Sequence, residues 1–346
     1  MEKTAKTAKY LAILLAVALV LLTGCGGSAP ATSTPATSTS TPASAAANPA
    51  DKFPENHIIC VFSSGVGSGG DVLLRTLGSA LAAQNALNGY SFVIENRLGG
   101  GGATAFRYVA EQKPNGYTLL GTSAGIATGK LMTGVPMDHH DFEMVCTLAA
   151  DPQFIYVPAD APYKTLPELI EYAKANPGKL NWGVSQPTAV STLVSAILLG
   201  TTGIDVKTVG FEDAASLFTA VLGKHVDVGF DEYGGIDAQV KAGNIRVLAS
   251  FTDERSKTYP DVPTAKELSF DIVVKKVRGI MAPMGTPKEI IEKLQEIFKK
   301  GYDTESFQKY LLDNGSDPLY LAGEEAIGAY NVLEETTRKY MSVLKG

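Results

Sequence analysis

The chain is poor in the residues that bind metals. Among its 346 residues there are three cysteines and four histidines, with no metal-ligand spacing between them. His139 and His140 are adjacent, so on a strand they would point to opposite faces. No metal or other cofactor is therefore expected. Besides Cys25, only Cys60 and Cys146 remain, each in an apolar strand-like stretch, Ile58-Ile59-Cys60-Val61-Phe62 and Met144-Val145-Cys146. They read either as buried free thiols or as a disulfide, and sequence alone does not place the two sulfurs. Basic charge is also short, with 30 Lys and Arg against 36 Asp and Glu. The first 24 residues hold three lysines and one glutamate, so a chain cut after them carries −8 in place of −6. Nucleic acid is excluded as a partner on this ground, because phosphate recognition needs a basic face.

The apolar run Leu11 to Leu22 has only 12 residues, where a bilayer span needs roughly 20. Lys3, Lys6 and Lys9 precede it and small residues follow, the pattern of an export signal over 1–24. Leu22-Thr23-Gly24-Cys25 then looks like a lipobox, which makes Cys25 a lipid anchor to the extracytoplasmic face of the cell membrane. From Gly26 to Lys52 there is no Leu, Ile, Val, Phe or Met. That stretch cannot bury a core and reads, with Cys25, as a lipidated, disordered tether over 25–52.

Beyond the tether, short β-rich runs alternate with helical periods, which predicts an α/β fold with mostly parallel sheets flanked by helices. Strands are expected at His57 to Phe62, Ser91 to Ile94, Tyr117 to Leu120, Phe154 to Val157, Leu180 to Val184, Val206 to Val209, Val226 to Phe230, Ile245 to Phe251 and Arg278 to Met281. The best-marked helix begins at Thr165, with a capping box to Glu168, apolar Leu166, Leu169, Ile170 and Ala173, and a stop at Asn176-Pro177-Gly178. Another is expected from Thr286-Pro287, with Ile290, Leu294 and Ile297 on one face. In four places an apolar strand runs into a loop of Gly, Ser or Thr: Ser63 to Asp71, Asn96 to Gly102, Gly121 to Gly125 and Gly183 to Thr188. Such loops gather outside the carboxyl ends of parallel strands, where free backbone N–H groups favour an anion.

Two motifs suggest enzymes. Gly65-x-Gly67-x-x-Gly70, with Glu95 25 residues further on, outlines a dinucleotide fingerprint, but Asp71 sits at the helix end a pyrophosphate needs positive. Gly121-Thr122-Ser123-Ala124-Gly125 fits the nucleophile elbow of hydrolases, with Asp205 and His225 following in the usual order. His225 reads instead as a turn residue entering a strand.

Taken in order, several segments resemble the solute receptors of tripartite tricarboxylate transporters, the Bug family. They are Glu95-Asn96-Arg97-Leu98-Gly99-Gly100-Gly101-Gly102, Pro114-Asn115-Gly116-Tyr117-Thr118-Leu119-Leu120, and Tyr172 to Gly183 with its Asn176-Pro177-Gly178-Lys179-Leu180-Asn181-Trp182-Gly183 core. Ala220 to Asp227, Ile245 to Ala249, Tyr259-Pro260-Asp261-Val262-Pro263-Thr264 and Ala282-Pro283-Met284-Gly285-Thr286-Pro287 complete the match. The resemblance implies a two-lobe, periplasmic-binding-protein-like fold with two interlobe crossings. One lobe takes 53–151 and 274–346, the other 152–273.

It further implies a receptor, not an enzyme, that holds a small organic anion, a carboxylate or an amino acid, and delivers it to membrane permease subunits. The family's ligand loops map onto Ser63 to Asp71 and Thr122 to Ala124, and onto Gly183 to Thr192 with Phe211 to Asp213 and Asp231. The first loop is about two residues longer than is usual for the family, and Gly210-Phe211-Glu212-Asp213 stands where members often read Pro-Tyr-Lys-Gly. Those two acids disfavour a second or third carboxylate on the solute. Ser64, Gly65, Ser68 and Gly69 are the expected donors, with Thr122 and Ser123 on the same carboxylate, and Gln186 and Thr188 closing from the other lobe. Asp231 is assigned to a ligand hydroxyl or amine, and Asp71 to the first helix as a cap. With no Lys or Arg between Ser63 and Asp71, the grip is expected to rest on uncharged donors. A secreted serine hydrolase using Ser123 and a sensory ligand-binding lipoprotein are the alternative readings.

Overall fold

The structure, a computed structural model, describes residues 50–185, 189–212 and 214–345. The export signal, Cys25 and most of the tether, together with Gln186, Thr188 and Asp213, lie outside the described residues.

The first half of the chain builds strand β1 (Ile58–Phe62), helix α1 (Gly69–Ala83), β2 (Phe92–Asn96), α2 (Ala103–Ala110), β3 (Thr118–Thr122), α3 (Gly125–Thr133), β4 (Phe142–Asp151), β5 (Phe154–Pro158), α4 (Leu166–Ala175), β6 (Asn181–Val184) and α5 (Val190–Thr202). It continues with β7 (Lys207–Gly210), α6 (Ala214–Leu222), β8 (Gly229–Asp231), α7 (Tyr233–Lys241), β9 (Ile245–Ser250), β10 (Lys276–Pro283), α8 (Lys288–Tyr302), α9 (Glu305–Asp313), β11 (Asp317–Pro318) and α10 (Gly323–Lys345).

Two mixed sheets result. The first has the order β11-β4-β10-β3-β1-β2; β1 to β4 all run one way, and β10 and β11 run against them. In the second, β8-β5-β9 joins the β6-β7 pair through a parallel bridge between Trp182 and Val228, and only β5 is reversed. The chain passes between the sheets twice, at Asp151 to Phe154 and between Ser250 and Lys276. This is the expected two-lobe α/β plan.

Local rules set the helices. Thr165 Oγ1 accepts the Glu168 amide at 3.3 Å, and Glu168 reaches back to the Lys164 amide at 2.7 Å, closing the start of α4. Its buried face is Leu166, Leu169, Ile170 and Ala173, as the period predicts. Helix α8 buries Ile290, Leu294 and Ile297, also as expected, and packs with Leu73, Leu77 and Leu81 of α1 beneath the first sheet. Each such aliphatic side chain contributes about 1.5–3 kcal/mol by burial. The second sheet is anchored by Trp182 and Phe230, fully buried with ring centroids 5.5 Å apart, and the Trp182 indole N–H donates to Ser195 Oγ at 2.7 Å.

Strand β4, ten residues long, extends far beyond the Met144-Val145-Cys146 stretch recognised in the sequence. Cys60 and Cys146 are both buried free thiols. Strands β3 and β10 lie between theirs, which at about 4.8 Å per strand puts the two backbones well past the roughly 7 Å a disulfide spans.

Candidate functional site

Because β10 is antiparallel, its first residues lie at the edge where β1, β3 and β4 end. The register sets Lys276 opposite Asp151 and Arg278 opposite Ala149. This edge, the loop after β8 and the turn between α9 and β11 enclose a cavity of about 420 Å³. Ser64, Ser68, Gly69, Ser123 and Asp231 line it, five of the expected ligand residues.

Two others do not. Gly65 is not part of the wall, and Thr122 is turned away: its hydroxyl is buried and shares a 2.7 Å hydrogen bond with Tyr330 Oη. As the last residue of β3, paired with Gly279, Thr122 follows the strand's alternation into the core, while Ser123 faces the cavity.

The first loop is held from behind. Asp71, only 1 % exposed, accepts the Gly67 amide at 2.9 Å, both Arg75 donors at 2.9 and 3.0 Å, and Asn96 Nδ2 at 2.9 Å. The Arg75 bonds, against the opposing effect of burial, hold its carboxyl down at about 2. An N3 acid reaching back to the chain before its helix is a cap, and Asp71 is not part of the cavity wall. Asn96 also donates to the Ser64 carbonyl at 2.8 Å. Ser68 Oγ is buried and has no hydrogen-bond partner among the described residues.

The expectation of a grip made mainly of uncharged donors took no account of β10, which brings the charges of Lys276 and Arg278 to the cavity. The Arg278 guanidinium is buried and lies against the start of α1; a Cβ added to Gly69 would stand 3.3 Å from both Nη atoms. A side chain at 69 would crowd them. Arg278 Nε donates to Asp151 Oδ2, and Nη2 to Glu232 Oε2 at 3.4 Å. Lys276 Nζ donates to Glu232 Oε1 and stands 4.0 Å from Asp151 Oδ2. Ser316 Oγ donates to Asp151 Oδ1 at 2.7 Å.

Burial pushes the Asp151 carboxyl up, but the Arg278 and Lys276 charges outweigh it and hold it below the usual carboxylate range. For Asp231 burial wins. Its carboxyl is raised to about 6, with the neighbouring Glu232 charge adding to the effect and the Glu232 amide opposing it. The sequence carried a signal for the cations: Lys276 and Arg278 are two residues apart at the head of an apolar strand, hence on one face.

The hydrolase reading loses its geometry. Asp205 and His225 stand before β7 and β8, at the amino ends of strands in the second sheet, and neither lines the cavity that Ser123 faces. Glu95, the acid of the dinucleotide outline, pairs with Arg97 at 2.6 Å. His139 and His140 are in a single helical turn, not a strand, and their rings stand 4.0 Å apart. With Asp138 they bring possible ligand atoms within 4.8 Å of one another, closer than the sequence spacing suggested. All three are engaged already: Asp138 with Lys130 at 2.7 Å, His139 with Asn331 at 2.8 Å and His140 with Glu334 at 3.1 Å.

Comparison with known proteins shows the family and the fold. Residues 76–344 match the family described as Tripartite tricarboxylate transporter family receptor. A Cupriavidus necator protein, the UPF0065 protein in the gbd 5′ region, is 30 % identical over 299 residues, covering 86 % of this chain and 89 % of the relative. A TctC solute binding protein from Polaromonas, solved with no ligand, superposes with a TM-score of 0.74 at 26 % identity, covering 85 % of this chain and 99 % of that one. R. palustris Rpa4515, solved with adipate, superposes with a TM-score of 0.72 at 25 % identity, covering 85 % and 98 %.

Proposed function

The chain belongs to the tripartite tricarboxylate transporter receptor family, and from that premise we propose that it captures a small carboxylate-bearing solute reversibly in the 420 Å³ cavity and hands it, unchanged, to a membrane permease. The observation that carries this reading is the buried Arg278 guanidinium set against the start of α1. Guanidinium, free helix-start amides and the hydroxyls of Ser64, Ser68 and Ser123 form a donor set suited to one carboxylate. The adipate bound by a relative supports a carboxylate ligand. Residues 53–151 with 274–346 would form one lobe and 152–273 the other, with Gln186 and Thr188 closing over the solute and Asp231 meeting a hydroxyl or amine.

The chain would work on the extracytoplasmic side, tethered by an acylated Cys25; no described helix is long and apolar enough to cross a membrane itself. Fractionation of cells carrying Cys25→Ala tests the anchor: release of the protein from membranes is expected, and unchanged retention would discard it. A thermal-shift screen with mono-, di- and tricarboxylates and amino acids tests the receptor. A ligand at a hundred times its Kd stabilises the fold by about 2.7 kcal/mol. Any ligand found should be recovered chemically unchanged after long incubation, whereas a product that depends on the folded chain and on Ser123 would favour the hydrolase.

A further inference from the structure

The two acids on Arg278 stand in different surroundings. Asp151 is 4 % exposed, sits at the end of β4 in the same sheet as Arg278, and is fixed by Arg278 Nε on one oxygen and Ser316 on the other. Glu232 comes from the other sheet, in the short link between β8 and α7, and its side chain is 28 % exposed. Its side-chain partners are Lys276 and Arg278, and the Arg278 contact is long, 3.4 Å. If Asp151 left Arg278, it would be a buried charge without its guanidinium, which is strongly destabilising. Glu232 can turn into water at far lower cost.

Charge counting points the same way. Lys276 and Arg278 bring two positive charges to the cavity, against three acids, Asp151, Asp231 and Glu232. Of the two acids that contact these cations, Asp151 is fixed, and Glu232 is the one whose place a carboxylate from solution can take. A one-for-one exchange keeps the cavity's charge unchanged, which a low-dielectric site favours.

We infer that Glu232 is an internal stand-in for the solute: its carboxylate holds Lys276 and Arg278 across the cleft in the empty receptor, and the solute's carboxylate displaces it on binding. The inference rests on the carboxylate-receptor reading above and adds a specificity-determining residue to it. Glu232 sets a threshold, because a solute binds only if its carboxylate, helped by Ser68 and the start of α1, competes with one already in place. It also admits one carboxylate to this end of the cavity, since a second would face Asp151 and Asp231 with no cation left.

The test is calorimetric titration of the full mature chain and its Glu232→Gln variant with acetate, adipate, citrate and glutamate, with Glu232→Ala as a second variant and melting curves to confirm folding. Glutamine keeps the shape and removes the competing charge, so affinity for at least one probe should rise about tenfold or more, the worth of one charge-assisted hydrogen bond. Spin labels placed one on each lobe should also report a wider or broader distance in the ligand-free variants than in the parent. If the parent binds a probe and both variants bind it equally or more weakly, Glu232 is a ligand contact or a bystander, and the inference fails while the receptor reading stands. If neither the parent nor a folded variant binds any of the four, the carboxylate reading fails and takes the inference with it.

Discussion

Replacing Arg278 by methionine tests the charge cluster itself. The guanidinium is buried and shares its protons between Asp151 and Glu232. Methionine fills much of the same space and leaves Asp151, 4 % exposed, without its strongest partner. Stripping a buried carboxylate of its cation costs about 3–5 kcal/mol. Lys276 at 4.0 Å and the Ser316 hydroxyl at 2.7 Å stay with Asp151, so the lower end, about 3 kcal/mol, is expected. At about 2–4 °C per kcal/mol for a domain of this size, the melting temperature should fall by roughly 6–12 °C. Asp151→Asn removes the stranded charge, so the double variant Asp151→Asn, Arg278→Met should recover at least half of the loss. Urea unfolding of the parent, both single variants and the double gives the coupling directly. A loss below about 1 kcal/mol in Arg278→Met, or no recovery in the double, would refute the view that Arg278 is held by a buried charge.

Asp231, raised from 3.8 to about 6 chiefly by burial, binds its proton more tightly folded than unfolded, so the fold loses stability as pH rises between those values. Asp231→Asn should remove that loss, stabilising the chain at pH 7 by at most about 3 kcal/mol and not at all below pH 3.8, as denaturant midpoints across pH would report. Gly69→Val would push a side chain against the Arg278 guanidinium, where even a Cβ stands at 3.3 Å, and should weaken carboxylate binding far more than Ser64→Ala, measured by calorimetry with circular dichroism as a folding check. Thr165→Ala removes the cap of α4 and should cost about 1 kcal/mol in urea.

Where local rules dominate, the sequence was easily read. The capping box of α4, the apolar face of α8 and the strand-to-loop transitions after β1 and β3 all follow from a few neighbouring residues, and the structure keeps them. What escaped depends on long-range pairing. The length of β4 was hidden because Glu143, Thr147 and Asp151 interrupt its apolar residues, and those side chains find partners only once β10 and the segments at Gly285 and from Ser316 to Leu321 are in place. The same pairing explains the missed cations. Counting charge within Ser63 to Asp71 is sound for that loop, but the reversed direction of β10 carries Lys276 and Arg278 to it from more than 200 positions away. Thr122 failed as a wall residue for a smaller reason, the alternation of a strand that runs two residues further than expected.

The most direct test of the account is a crystal structure of the chain with whichever carboxylate stabilises it best. The account predicts an intact carboxylate in the cavity with its oxygens about 2.7–2.9 Å from Arg278 and the start of α1, and Glu232 turned away from Arg278. A solute seated elsewhere, one held without Arg278 while Glu232 keeps its contact, or one found cleaved beside Ser123 would contradict it.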